Sequence, residues 1–294
     1  MQYKRKEEMG KMNKIKDKAE FITLLLLFGA VMLVMVLINR CVEPWLMSGG
    51  IELPIIVLSI IVYVPMIAIG LIYTFVKGDK FIEAYEIKKI KISTVFLTII
   101  LAFVVMPMGW FANVLSQLFV PNVFAQAADS LLGTGSVIPA VISMVVIAPI
   151  CEELIMRGFF QNRFSKIIPF GASAVLTGFL FGVLHMNLNQ FCYALVLGII
   201  FACINRASGS IITSVIMHMI FNGFGCIAMI ISTGIANDAG MSMAEGAEMY
   251  RTDIKTMIFS LIVTGVLAVI SFFITRILLK AIAKREGNEI QAEA

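Results

Sequence analysis

The sequence predicts an all-α, polytopic membrane helix bundle of about eight transmembrane helices, with both termini on the cytoplasmic side. Three observations carry this reading. Of the 294 residues, 60% are hydrophobic and only 14% charged, whereas a soluble domain has about 25% charged residues. Apolar runs of spanning or near-spanning length recur along the chain. Lys and Arg then alternate between the connecting segments as the positive-inside rule requires.

Residues 1–20 are mostly basic, with Lys4, Arg5, Lys6, Lys11, Lys14, Lys16 and Lys18, and read as a solvated or membrane-surface segment inside the cell. The first apolar run, 21–38, is long and lacks a small-residue cleavage site behind a short apolar core, so it reads as a span and not a cleaved signal. Runs at 53–76 and 92–111 complete an N-terminal set of three helices within 21–136. Four more, at 137–156, 168–185, 191–204 and 211–231, form a core over 137–231; the sixth run, 191–204, is short and is expected to tilt or insert partly. The last run, 256–279, lies in 232–294 together with an outer loop and a cytoplasmic tail. That loop, around residues 234–253, is the longest hydrophilic stretch between spans and is expected to be mobile. With the N-terminus inside, all of the 23 Lys and Arg except Arg40, Arg251 and Lys255 fall on the cytoplasmic side. A wrong number of spans would scramble that alternation. Cys41, Cys151, Cys192, Cys203 and Cys226 have no CxxC spacing and read as small hydrophobes, not as a disulfide framework or zinc knuckle. A multi-pass protein of a cell membrane follows, with the bilayer as its surroundings and no nucleic-acid partner.

The polar residues inside the spans carry the chemistry. At the end of the fourth run stand Glu152, Glu153 and Arg157. Charged side chains in hydrocarbon are costly and are therefore paired, turned to a cavity, or chemically active. Glu153 and Arg157 are four apart and share a helix face in the favourable order. Glu152 points about 100° away and has no partner in its own segment. Glu153–Arg157 thus reads as a structural ion pair and Glu152 as the working carboxylate; the plainer alternative is that both glutamates sit at the water interface and only set topology. Pro149, three residues earlier, is expected to loosen the helix and admit water. The only two histidines, His185 and His218, also fall in spans. His218 and Asn222 share one helix face, and each can donate a hydrogen bond to an anionic oxygen. Phe181 precedes His185 by one turn and is placed to fix its imidazole. Depth counted from Lys166 and Arg206 puts Glu152 and His218 at similar levels, roughly 21 and 18 Å along a helix. His185, roughly 28 Å from Lys166 on the same count, is too deep unless its helix starts late or tilts. On those depths the site is expected to open to the cytoplasmic side.

These motifs, Glu152-Glu153-x-x-x-Arg157, Phe181-x-x-x-His185 and His218-x-x-x-Asn222, resemble the three motifs of the CAAX-processing and bacteriocin-processing (Abi) family of intramembrane proteases, which includes the Ras-converting endopeptidase that trims prenylated CaaX proteins. The resemblance covers residues 137–231; the other spans match in hydropathy and number only. It implies an intramembrane endopeptidase in which Glu152 is the general base for a water that His185 helps to hold. His218 and Asn222 would form the oxyanion hole, with Glu153, Arg157 and Phe181 as support. The substrate implied is a membrane-associated or prenylated peptide, or a bacteriocin precursor. No cofactor is expected. A zinc ion held by Glu152, His185 and His218 is the alternative, opposed by the absence of HExxH and by Arg157 beside the glutamates.

Other classes stand beside this reading, among them a transporter with a proton-linked carboxylate, for which the sequence offers no paired broken helices. Gly171-Ala172-Ser173-Ala174 lacks the final glycine of a serine-protease GxSG motif, so Ser173 reads as a packing residue. An aspartyl protease needs aspartates within spans, and here they lie in loops. A bacteriocin-immunity factor or scaffold of the same fold, without turnover, is the alternative from a different class.

Overall fold

The computed structural model describes residues 2–50, 53–122, 125, 128 and 137–288, and within them every regular element is a helix. We number the principal helices α1 (Gln2–Leu37), α2 (Ile55–Val76), α3 (Ile92–Ser116), α4 (Val137–Phe164), α5 (Phe170–Leu184), α6 (Leu188–Ser208), α7 (Ile212–Asp238), α8 (Met243–Thr252) and α9 (Ile254–Glu286). Among the described residues seven helices are long and apolar enough to cross a membrane, α1 contributing through the continuous stretch Lys14–Leu46, and α5 is a shorter apolar helix among them. Each of the eight apolar runs read from the sequence falls in a different one of these helices.

The short member is α5, not α6. Its 15 residues make a helix about 22 Å long, below the roughly 30 Å of a hydrocarbon core. Pro169 precedes its first turn, and Met186, just after it, takes φ +52°, a left-handed conformation that side chains seldom enter. Asn187 then accepts a hydrogen bond from the Gln190 amide at 2.8 Å and caps α6. At the far end of α6, Asn205 Nδ2 donates to Ser214 Oγ at 2.9 Å and Ser208 pairs with Thr213 at 2.8 Å. Polar residues satisfied in this way extend α6 beyond its apolar stretch, which is why hydropathy made it look short.

The stretch expected to be a mobile outer loop is largely helical. α7 runs on to Asp238, and α8 starts from a capping box: Ser242 accepts from the Glu245 amide while Glu245 accepts from that of Ser242.

α4 packs against α2, α5, α6 and α7, so its polar residues face protein and not lipid. α5 and α6 approach closely: a Cβ on Gly198 would lie 2.7 Å from the Gly178 Cα, the small-residue packing that membrane helices use. α9 leaves Phe259, Ile262, Phe273 and Ile277 exposed, as befits a lipid-facing helix. Polar ties cluster where the basic residues are. Arg163 Nη2 donates to Asp79 Oδ2 at 2.9 Å, the Lys91 amide to Glu286 Oε1 at 3.0 Å, and Asn288 Nδ2 to the Ala207 carbonyl at 3.0 Å. The late start of α5, at Phe170, also removes most of the depth mismatch for His185, which ends a 15-residue helix.

Candidate active site

Glu152, Glu153 and Arg157 lie where α4 changes its winding. Ser143–Ile147 and Leu154–Gln161 are π-helical, with an ordinary helical stretch, Ala148–Glu153, between them. Pro149 sits at the start of that middle stretch. Such widened turns recur at functional sites because each one rotates the following residues around the axis.

Arg157 Nη1 donates to Glu153 Oε1 at 3.0 Å, with both side chains fully buried. Two aromatic rings adjoin the guanidinium, its carbon 4.3 Å from the centroid of Phe181 and 5.1 Å from that of Phe201. His218 Nδ1 lies 3.0 Å from the same Glu153 oxygen, and His218 Nε2 lies 3.7 Å from Glu152 Oε2. Glu153 therefore holds both a cation and a histidine, and it ties the first motif to the third.

Glu152 is not alone. The Tyr63 hydroxyl, from α2, donates to its Oε1 at 2.7 Å. This partner lies 89 residues away in the chain, and no local spacing pointed to it. The bond fixes one carboxylate oxygen and leaves Oε2 toward His218. Tyr63→Phe is expected to cut turnover about tenfold, as befits loss of a hydrogen bond to a charged group, with KM little changed; equal turnover in steady-state kinetics would remove Tyr63 from the site.

The acceptors available set the histidine tautomers. His185 Nδ1 is 2.8 Å from the Phe181 carbonyl, which only accepts, so Nδ1 carries the hydrogen and Nε2 is left for other partners. Phe181 stands edge-on to His185 with centroids 4.9 Å apart, and to His218 at 5.7 Å. His218 Nδ1 likewise donates to Glu153. Its Nε2 becomes a donor only when the ring is doubly protonated. In that form His218 and Arg157 balance Glu152 and Glu153, and the buried cluster carries no net charge. Asn222 Nδ2 donates to the Met144 carbonyl at 2.9 Å, keeping its second N–H free to donate.

Glu152, His185, His218 and Asn222 line one cavity of about 430 Å³, within the usual range for ligand sites. Asn113, Asn189, Gln190 and Tyr193 also line it, and sequence reasoning had singled out none of these. Tyr63, Trp110, Asn113, Met144, Asn189 and Gln190 place much of its lining in the halves of α2, α3, α4 and α6 away from the basic residues, while His218 and Asn222 lie in the first half of α7. Ser173 is buried, bonded to Gln161 and Ser165, and does not line the cavity. Zinc takes histidine nitrogens and carboxylate oxygens as ligands, yet among the described residues no three His, Cys, Asp or Glu side chains converge to hold a metal ion.

No curated protein and no solved structure matches the chain. Residues 134–224, which hold all three motifs, match the model of a family described as type II CAAX prenyl endopeptidase Rce1-like, and the likeness of this chain to that family rests on that segment.

Proposed function

We propose that the protein is an intramembrane endopeptidase in which Glu152 activates a water for attack on a peptide carbonyl. The observation that carries this reading is the convergence of Glu152, His185, His218 and Asn222 on one cavity, with Glu152 Oε2 beside His218 Nε2. The water sits between Glu152 Oε2 and the lone pair of His185 Nε2. Its proton passes to Glu152 as its oxygen bonds to the carbonyl carbon. The oxyanion that forms takes hydrogen bonds from the second Asn222 N–H and from doubly protonated His218. Negative charge thereby moves from Glu152 to the oxyanion without changing the net charge of the buried cluster, which suits a low-dielectric site. Protonated Glu152 then gives its proton to the departing amine, and the new C-terminus remains as the acid. Glu153 and Arg157 hold the His218 ring in place. No covalent nucleophile enters.

The substrate fitting this scheme is a membrane-associated peptide, prenylated or not, or a bacteriocin precursor. The test is hydrolysis of internally quenched peptides, farnesylated and unmodified, by detergent-purified protein with and without a chelator. Cleavage unaffected by the chelator is expected. Cleavage abolished by it and restored by added zinc would overturn the metal-free route.

A further inference from the structure

We propose that the cavity receives its substrate from the non-cytoplasmic face, as an extended internal segment of a peptide. The bundle has two chemically different ends. At one lie the start of α3 and the ends of α2, α4, α6 and α9, with Lys77, Lys91, Arg163, Arg206 and Lys284. At the other lie the end of α3, the α5–α6 turn, the end of α7 and the short helix α8, where Arg251 is paired with Glu248 at 2.6 Å. Positive charge marks the cytoplasmic end. The cavity starts at Glu152 and His218 and is lined further along by Trp110, Asn113, Ser232 and, at the start of α8, Met243. Each of these is on the side of the site away from the basic end.

The lining also says what it would hold. None of the described residues around the cavity is Lys or Arg, so a free terminal carboxylate would find no lysine or arginine there, only the His218 ring that serves the reaction. Amide side chains are plentiful instead. Asn189 Nδ2 donates to Asn113 Oδ1 and to Ser116 Oγ, each at 2.8 Å. The Ser116 hydroxyl gives its own hydrogen to the Asn113 carbonyl at 2.7 Å, so the atom of Asn189 facing it has to be the donor nitrogen. Asn189 Oδ1 is then fixed, buried, and without a hydrogen-bond partner. A buried acceptor left unpaired costs about 1–3 kcal/mol, borne here to hold Asn113 and Ser116 at the cavity wall. The side-chain amides of Asn113, Gln190 and Asn222, which line the cavity, offer hydrogen bonds to the backbone of an extended peptide. Hydrolysis of that segment is the reading proposed above, and what the cavity does rests on it; which face the cavity opens to does not.

The test is cysteine accessibility in the full-length protein expressed in bacterial cells. Ser232→Cys and Met243→Cys report on the cavity, and Lys89→Cys reports on the basic end. A membrane-impermeant maleimide is added to spheroplasts or to inverted vesicles, and modification is read by mass spectrometry of the peptide carrying each introduced cysteine. At least one cavity position is expected to label in spheroplasts, with Lys89→Cys labelling only in inverted vesicles. The reverse pattern, or no labelling of either cavity position in spheroplasts, overturns the inference. Labelling needs no turnover. Wrong sidedness alongside Glu152-dependent cleavage would sink the inference and spare the peptidase reading, and right sidedness without cleavage would do the opposite.

Discussion

Glu152→Gln is expected to lower kcat by about 10²–10⁴, the usual contribution of a positioned general base, while the protein stays folded. The substitution is close to isosteric. A glutamine oxygen still accepts from the Tyr63 hydroxyl, which holds Oε1 at 2.7 Å in the wild type, so the side chain keeps its place. What disappears is the basic oxygen facing His218. Glu153 stays paired to Arg157 at 3.0 Å, so the buried ion pair is left intact. The measurements are kcat on a quenched peptide and the melting temperature of the purified protein. Unchanged Tm with collapsed kcat supports the assignment. Wild-type turnover would mean that another group takes the proton, and loss of both would mean that Glu152 holds the fold and not the water.

The sequence made the bundle legible because burial in a membrane leaves an unambiguous mark: every spanning helix needs a long apolar run, and every run found one. The site was legible for a related reason. Charged and ionisable residues are so costly in hydrocarbon that Glu152, Glu153, Arg157, His185 and His218 stood out from their surroundings, and spacing of four showed which pairs share a face. Spacing says nothing about other helices. Tyr63, the partner of Glu152, and the Asn113–Ser116–Asn189 group became visible only once α2, α3 and α6 were placed. Hydropathy also misjudged helix ends, since Asn187 and Asn205 are satisfied at the ends of α6 and so count as helix, whereas an apolar Met186 breaks the chain by its dihedral angle. The Ser242-x-x-Glu245 box was readable and went unread beneath the polarity of its segment. The π-helical winding of Leu154–Gln161 has no pattern in the residues that would have announced it.

Arg157→Met is expected to destabilise the protein by about 3–5 kcal/mol, the usual result of removing one partner from a buried ion pair. Here the penalty is concentrated on Glu153. That carboxylate is wholly buried, and among the described residues Arg157 is its only cationic side-chain partner besides His218. The guanidinium also packs against Phe181 and Phe201, so alanine would add a cavity while methionine keeps most of the volume and tests the charge. Adding Glu153→Gln to Arg157→Met should recover most of the lost stability. The glutamine oxygen can still accept from His218 Nδ1, the methionine is content among the aromatic rings, and neither leaves a charge behind. The two changes share one network, so their effects will be far from additive. Melting temperatures of the wild type, both single variants and the double variant close the cycle. Additive losses would show that Glu153 and Arg157 act separately and that the pair is not what holds α4 in place. A recovered fold with little activity would separate two roles: the ion pair would be dispensable for packing, and it would be needed to hold the His218 ring in place for the oxyanion.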